Sequence, residues 1–559
     1  MKKVISVIMI LTIFITCLSG CAKKPVTDNE NTDVQEDIDT NDNVETETDS
    51  KNPASDNTDS GSNNAAVTND TQNDTDQKPS SSGQQNLPDS SNDSGTSSGG
   101  SQNSWNPEVI IGGEPGDIDP DEIPVFESDG EIDYRYEGVE DDLPYIDKAE
   151  TTISDFIVTS DNYDERKLSL PIIKINTYNG KDITSKTQYV SSTISITNTL
   201  KNYSLTETTV DVRGRGNSTW QYFDKKAYKL KFTVKTDLFG MGAAKKWVLL
   251  ANALDESMMR NYIAFSLGHI LNLEYTSDFQ FVNLYLNGEY KGVYLLCEQV
   301  QEGETRVNIN SSKTGQVDTG YLLEGINVNM AVDYKTFTLD SVNGQQLGDP
   351  GKFTFIIKSP ELLECTSEQV SYISDYVKKA NEAIFNKDWA SIQNYIDVDS
   401  FVNMFLLDEI LLNQDMGYSF YMYKKQSGKL YMGPMWDFDQ ACGSSSHGGI
   451  GYKGWYAGSE HEWFTTLIEI PQFKELVSKR YQQKKDEIHS LLDSIDNIIN
   501  KHSFDFAMSN YVFNTFGDTN RWRTVCEIAS LKTYKEHVVF LKTWLTNRFI
   551  WMEDQLGVK

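Results

Sequence analysis

From about residue 168 to residue 358, apolar and polar residues alternate with the two-residue period of β-strands, and turn-forming residues separate the runs. The clearest pair of strands is FQFVNLYLNGEYKGVYLLCEQV at 279–300, which turns at Asn287-Gly288, a dipeptide that tight hairpins favour. In AYKLKFTV at 227–234, alternation directs Lys229 and Lys231 to one face of the strand. Other strands are predicted at residues 170–178, 188–197, 208–216, 246–252, 319–324 and 352–358.

One helix interrupts this β-rich half, and the helical period dominates from about Ser367 onward. Asp255 is expected to cap the first helix, which extends to about Leu271. Strands followed by helices, without an internal repeat, predict an α+β domain at 151–559. We expect two lobes, one β-rich and one helical, with a cleft between them. Further helices are predicted at residues 367–386, 398–412, 461–471, 473–499 and 531–555.

The stretch at 413–443 carries the most informative acidic residues. It predicts a loop with Asp415, a strand at 419–424, a tight turn, and a second strand from Leu430 to Trp436 that ends in Asp437-Phe438-Asp439. Strand alternation would put Asp437 and Asp439 on one side, and the hairpin would bring Asp415 near them. Three converging carboxylates favour a bound cation such as Mg²⁺, Mn²⁺ or Ca²⁺. The alternative is that these acids are solvated loop residues and turn caps.

Basic residues at one strand end form a second candidate site. RGRGNSTW at 213–220 combines glycines, which allow tight turns with inward N–H groups, with arginines suited to bidentate phosphate contacts. Two lysines of the next strand could reach the same anion. The alternative is a Gly-rich hairpin corner beside an exposed strand face. The candidate anion-binding residues are Arg213, Arg215, Asn217, Lys229 and Lys231.

Two other features contain isolated charges. Glu298 ends the Asn-Gly hairpin within an apolar run, where a buried carboxylate needs a cationic partner or a metal. Asp255 and Arg260-Asn261 flank one helical turn, for which a cap and a surface pair are the simplest interpretation. The sequence contains no nucleophile elbow, HExxH or Walker motif, and its cysteines form no CxxC pair.

The charge of the chain lies mainly in its N-terminal segment. Residues 1–150 hold 33 of the 82 acidic residues but 8 of the 50 basic ones, so residues 151–559 carry 49 acidic and 42 basic residues. No basic stripe therefore indicates a nucleic-acid partner. Residues 22–100 lack aromatic residues and are rich in Asn, Asp, Ser, Thr and Gly, which predicts a disordered tether. Residues 101–150 stay acidic but gain aromatic residues, and we assign 22–150 as linker.

The first 21 residues indicate export. Lys2-Lys3 precede a short apolar run, and Leu18-Ser19-Gly20-Cys21 resembles a bacterial lipobox, in which the cysteine is acylated. This resemblance implies a lipid anchor at Cys21 and a location on the outer face of the cytoplasmic membrane. The alternative is an ordinary secretory signal that is cleaved nearby.

Several motifs occur in the order seen in the spore-coat protein H (CotH) kinase-like family: RGRGNSTW, K-x-AYKLKF, W-x-LLAN-x-x-D-x-S-x-x-RN, LYLNGEYKGVYLLCEQV and WDFDQACG. The resemblance covers roughly 170–445. It implies an atypical protein-kinase-like fold that binds ATP and Mg²⁺ or Mn²⁺ and phosphorylates Ser/Thr of secreted, coat or envelope proteins. By position, Asp415 resembles a catalytic-loop aspartate, Asp437 a metal-binding aspartate and Trp436 an aromatic that stacks on adenine.

One position departs from the kinase pattern. A kinase catalytic loop usually supplies an Asn about five residues after its Asp, and here that position is Phe420. Either Asp439 replaces it, or metal binding and turnover are weakened. Two alternatives to a surface-anchored kinase therefore stay open: a non-catalytic surface module that keeps the fold, and a metal-dependent hydrolase.

Overall fold

The computed structural model describes residues 143–154, 157–216, 218–326, 335–339, 354–413, 416, 420–444, 451–457, 461–513, 528 and 530–558. These residues form two β-sheets and a set of helices. The twelve strands are β1 Ile172–Thr177, β2 Val190–Thr197, β3 Leu205–Arg215, β4 Ala227–Thr236, β5 Ala244–Leu250, β6 Phe279–Leu286, β7 Glu289–Glu298, β8 Tyr321–Ile326, β9 Thr336–Thr338, β10 Thr354–Ser359, β11 Phe420–Lys424 and β12 Leu430–Met432.

The helices follow mainly in the second half of the chain, as the periodicity predicts. In the described residues they are α1 Ser218–Tyr222, α2 Arg260–Ile270, α3 Ser367–Phe385, α4 Trp389–Tyr395, α5 Val398–Leu411, α6 Glu462–Leu467, α7 Pro471–His489, α8 Leu491–Lys501, α9 Ser503–Phe513 and α10 Tyr534–Leu556.

The first seven strands close into a barrel in the order β1-β2-β3-β4-β5-β7-β6. All neighbours are antiparallel except β1 and β6, which pair in parallel and complete the ring. Closure removes the free strand edges that would otherwise be open to intermolecular pairing. Alternation fills the interior with apolar side chains, among them Leu230, Trp247 and Leu296, while Lys229 and Lys231 lie on the outer face.

A second, antiparallel sheet has the strand order β12-β11-β8-β10-β9. The main core of the protein joins this sheet to the helices and to the outer face of the barrel. Helix α2 is the connection: Phe265 stacks on Phe279 of β6 with ring centroids 5.5 Å apart, and Tyr262 stacks on Phe281 at 5.7 Å. In the described part of the chain, none of the helices has both the length and the apolar character needed to span a bilayer.

Several predicted boundaries are wrong. Strand β12 ends at Met432 instead of Trp436, since Gly433 takes a left-handed φ of 115° and Pro434 has no N–H for the ladder. Helix α2 begins at Arg260 instead of Asp255. The single helix predicted at 473–499 is two helices that meet at Ser490, and the prediction lacks α1, α4 and α9 altogether.

Residues 143–154, most of which we assign to the linker, pack on the helical part. The backbone N–H of Ile146 donates to Asn547 of α10 at 2.8 Å, and that of Ala149 donates to Thr543 at 2.9 Å. Thr151 then donates to Asp496 of α8 at 2.8 Å. This end of the linker is therefore part of the packed structure. Cys21 and residues 22–142 lie outside the described residues.

Candidate functional site

A cavity of ≈ 520 Å³ opens between the barrel and the second sheet. The barrel contributes Lys229 of β4, and the second sheet contributes Leu322 of β8 together with Ile357 and Lys358 of β10. The chain that leaves β7, Gln299–Glu302, forms part of the same wall. Cations outnumber acids in the lining. The lining cations are Lys229, Lys235, Lys245, Lys246, Arg306, Lys313 and Lys358, and the acids are Glu302, Glu304, Glu361 and Glu364.

Lys229, which lines this wall, has a second basic residue, Arg213, as its cross-strand neighbour. Arg213 of β3 pairs in register with Lys229 of β4, so both side chains leave the same outer face of the barrel. Both are buried, and Lys229 has only 1% of its surface exposed, which excludes an exposed strand face for this lysine. Arg213 and Lys231 also share the ring of Tyr189, with distances of 5.2 and 5.7 Å to its centroid.

Farther along β3, Arg215 reaches the segment that carries Asp437. The guanidinium carbon of Arg215 lies 5.0 Å from the ring centroid of Trp436. The indole also packs on Phe265 at 6.3 Å and is 9% exposed, so its outer surface is largely occupied by Arg215. Among the residues that the structure describes, the side chain of Arg215 makes no hydrogen bond or ion pair, which leaves the guanidinium donors for an anion.

Close packing on Trp220 explains why glycine occurs at position 214 of RGRGNSTW. A Cβ on Gly214 would lie 2.3 Å from the indole of Trp220, so a side chain there would displace α1. Asn217 lies outside the described residues.

The carboxylates of WDFD are arranged differently from the prediction. Because β12 ends at Met432, strand alternation does not put Asp437 and Asp439 on one side, and that argument is wrong. Asp437 instead takes a left-handed φ of 69°, a conformation that Asp tolerates better than most residues and that often occurs at functional sites. Both side chains are half-buried. Asp415 lies outside the described residues, and among those described, no three His, Cys, Asp or Glu residues cluster to hold a metal.

Residues of the motif D-x-S-x-x-RN, at positions 255–261, contact the backbone of this acidic segment. Asp255 and Arg260 form a buried ion pair instead of the surface pair we expect from the sequence. Arg260 Nε donates to the carbonyl of Ala441 at 2.8 Å, and the N–H of Phe438 donates to Asn261 Oδ1 at 3.4 Å. The start of α2 therefore fixes the backbone on both sides of Asp439.

A series of polar side-chain contacts, which the sequence does not predict, leads from the cavity toward this segment. Lys358 Nζ lies 3.2 Å from Glu324 Oε2, and the hydroxyl of Tyr421 donates to Glu324 Oε1 at 2.9 Å. Tyr421 lies within the electrostatic range of both Arg215 and Asp437, and its burial raises the pKa of its hydroxyl well above the usual value. Glu324 is a single acid in the apolar strand YLLEGI. Like Glu298, it is a carboxylate in an apolar run and therefore needs a polar or cationic partner if it is buried.

A family model described as CotH kinase protein matches residues 212–552, more than half of the chain. This chain belongs to the CotH kinase family. The match begins in β3 and ends in α10, so it includes Arg213, Lys229, Glu324 and the acidic segment. No curated protein matches the chain.

The departure of this CotH chain from the kinase pattern has a structural explanation. Phe420 begins β11 and faces the core, where it contacts Phe355 at 6.1 Å and His461 at 5.3 Å between ring centroids. Gly325, its partner in β8, has no side chain because a Cβ there would lie 2.3 Å from the Phe420 ring. Tyr421, which faces the other side of β11, is the residue near Asp437.

Glu298 has a partner of its own. It pairs with Trp247, whose side chain fills the barrel interior, so it lies on the opposite face of the sheet from Lys229. There it forms an ion pair with Arg306, and it accepts from the N–H of Asp278 at 3.0 Å. Burial raises the pKa of Glu298 to about 8 and that of Asp278 to about 7. The need for a cationic partner is met by Arg306, at the barrel end beside the cavity.

The cysteines of the described part are buried thiols. Cys297, Cys365 and Cys442 are unpaired, and burial raises the pKa of Cys297 to about 12. At neutral pH such a thiol is protonated and a poor nucleophile, so the site chemistry belongs to the oxygen and nitrogen groups.

Proposed function

We propose that this chain is an atypical protein kinase, which transfers the γ-phosphate of ATP to Ser or Thr of secreted, coat or envelope proteins. The observation that carries the proposal is the continuity of the site. Lys229 and Lys358 line one cation-rich cavity, Lys358 lies beside Glu324, and Glu324 accepts from Tyr421, whose hydroxyl interacts electrostatically with Arg215 and Asp437. Membership of the CotH kinase family supports the same activity.

The cavity supports nucleotide binding by its size and lining. Its volume falls in the range of small-molecule sites. Val300, Leu322 and Ile357 offer apolar surface for a base, and Lys229 offers a charge for phosphate on the neighbouring wall. Arg213 and Lys231 lie on the same face as Lys229, and Arg215 lies on the side of Asp437. For Trp436 we propose a supporting role under Arg215, and Glu298 would act indirectly, by holding Arg306 at the cavity.

The acidic segment supports a Mg²⁺ or Mn²⁺ ion. In phosphoryl transfer Mg²⁺ is held by one or two carboxylates together with substrate phosphates, so a protein cage of three acids is unnecessary. Half-buried Asp437 and Asp439 would hold it. When bound, the ion would neutralise phosphate charge.

The remaining chemistry belongs to the chain itself. By the family resemblance, Asp415 would orient the acceptor hydroxyl and accept its proton. Arg215 and Lys229 would bind and orient the phosphates from two sides.

The arrangement of lobes and the location are also proposals. The barrel and the helical part, with α2 between them, would correspond to the two lobes of a kinase. Cys21 would carry a lipid that holds the domain outside the cytoplasmic membrane, with residues 22–142 as a tether. We expect Cys21→Ala to move the protein from the membrane fraction to the soluble extracellular fraction. Retention of this variant in the membrane fraction would contradict a lipid anchor.

Two variants of the full chain test the activity. Asp437→Ala should abolish metal-dependent ATP binding, since the phosphate charge is then uncompensated. Asp415→Asn should leave ATP affinity nearly intact but lower phosphotransfer by about 10²–10⁴-fold, the usual contribution of a positioned base. Glu207→Gln, an exposed carboxylate of β3, is the control and should change neither. Calorimetric titration with ATP–Mg²⁺ and transfer of labelled phosphate to a Ser/Thr-rich protein measure the two effects.

The same experiment distinguishes the alternatives. Equal loss of binding in both variants would show a shared metal cluster without a dedicated base. ATP binding without transfer would favour a non-catalytic surface module, and release of free phosphate alone would favour a hydrolase. Undiminished binding in both variants would overturn the nucleotide site.

A further inference from the structure

Neither the sequence motifs nor the family match assigns a role to Lys358. It lies on β10, in the second sheet, and lines the same cavity as Lys229, which comes from the barrel. The two ammonium groups therefore approach one cavity from opposite walls. A polyphosphate chain has charged oxygens on all sides, so cations on both walls can contact it together.

The ammonium group of Lys358 is held in place. It forms an ion pair with Glu324, whose Oε2 lies 3.2 Å away, and the other oxygen of Glu324 accepts from the hydroxyl of Tyr421 at 2.9 Å. The strands β10, β8 and β11 are adjacent, and Glu324 pairs in register with both Ile356 and Tyr421, so the backbone ladder fixes the spacing. The Lys358 and Glu324 side chains keep 21% and 18% of their surface exposed, which leaves Lys358 accessible from the cavity.

Holding a lysine in this way changes what it can do. A free lysine samples many rotamers, and binding must then restrict them at a cost in entropy. A carboxylate that takes one of the three ammonium donors removes much of this cost before the ligand arrives. The Tyr421 hydroxyl in turn interacts electrostatically with Arg215 and Asp437, on the side of the acidic segment.

We propose that Lys358 is a second phosphate-binding cation of this site, and that Glu324 and Tyr421 are positioning residues that hold it opposite Lys229. This inference rests on the proposed nucleotide site. In it, the phosphate chain is contacted by one lysine of the barrel and by one lysine of the second sheet. Because the contact is an ionic one to phosphate oxygens, ligands that carry phosphate gain from it and the free nucleoside does not.

Lys358→Met tests the contact, because methionine keeps the apolar stem. In the full-length protein with Mg²⁺, this variant should bind ATP about tenfold or more weakly, the effect of losing one charge-assisted hydrogen bond. Its affinity for adenosine should stay unchanged, and Lys358→Arg should recover part of the ATP affinity. Lys379→Ala, an exposed lysine of α3, is the charge-matched control.

Tyr421→Phe tests the positioning role, since it removes only the hydroxyl. We expect a several-fold loss of ATP affinity in the wild-type background and no further loss in the Lys358→Met background, because the hydroxyl acts through Lys358. Equal losses in both backgrounds would overturn the positioning role. An equal loss of adenosine and ATP affinity in Lys358→Met, or no loss of either, would overturn the phosphate contact.

Failure of the proposed function would have a different result. If the wild-type protein does not bind ATP, the nucleotide site itself is wrong. If the wild type binds ATP and Lys358→Met binds it equally well, the site stands and the second cation does not.

Discussion

At the scale of single residues, Glu409 of α5 and Arg548 of α10 form an ion pair in which both side chains are 0% exposed. Arg548 Nη2 lies 3.0 Å from Glu409 Oε2, and its Nη1 donates to the carbonyls of Tyr452 and Gly454 at 2.9 and 2.7 Å. The N–H of Tyr456 donates to the same Glu409 oxygen at 3.0 Å. One ion pair therefore fixes the segment 451–457 on the helices.

Arg548→Met should destabilise the protein by about 3–5 kcal/mol, because it leaves the Glu409 carboxylate buried without its partner. It should also expose 451–457 to proteases, since two carbonyl contacts are lost. Lys387→Gln is the control: it removes a cation from an exposed pair with Glu469 and should cost about 0–1 kcal/mol. Denaturant unfolding and limited proteolysis measure both effects. Equal unfolding midpoints for the two variants would show that burial adds nothing to this pair.

At the scale of single elements, the sequence predicts strands better than it predicts their ends. The β6–β7 hairpin is confirmed because Asn287-Gly288 and strict alternation are local signals. The end of β12 depends on how Gly433 and Pro434 turn. The helices on the two sides of Ser490 both contact α2, but α7 also packs on α5 and α10, whereas α8 packs on α9. The sequence does not predict helix α9, because this helix is buried on most sides and its sequence shows little amphipathic contrast.

The segment 143–154 is an element without regular structure, yet it packs like one. A protein trimmed to residue 143 should melt at the same temperature as the untrimmed protein, because the tether has little to bury. A protein trimmed to residue 155 should melt about 2–5 °C lower, because it loses the contacts with Asn547, Thr543 and Asp496 and the buried Ile153. Thermal melts of the two proteins test this. Equal melting temperatures would show that 143–154 contributes nothing to stability.

At the scale of the whole molecule, the candidate site combines residues far apart in the chain. Arg215, Lys229, Glu324 and Lys358 come from four strands of the two sheets, and Asp437 lies in the segment that follows β12. Motif spacing and alternation could predict Lys229 and Arg215, because both signals are local. No local signal places Glu324 beside Tyr421, since that pairing depends on β8 and β11 becoming neighbours in the second sheet. The cavity likewise has no local signal in the sequence, because it forms only between the two sheets.

The parallel pairing of β1 with β6 also sets an order in time. Ile172 lies opposite Asn283, and about a hundred residues must be present between them before the ring can close. Until then, β1 has one open edge, and the chain has to hold its ends together against a large loss of entropy. A chain that contains only the first five strands therefore has exposed strand edges, which can pair with other chains. A chain that ends before residue 279 leaves β1 and β5 each with one unpaired edge, which favours aggregation with other chains.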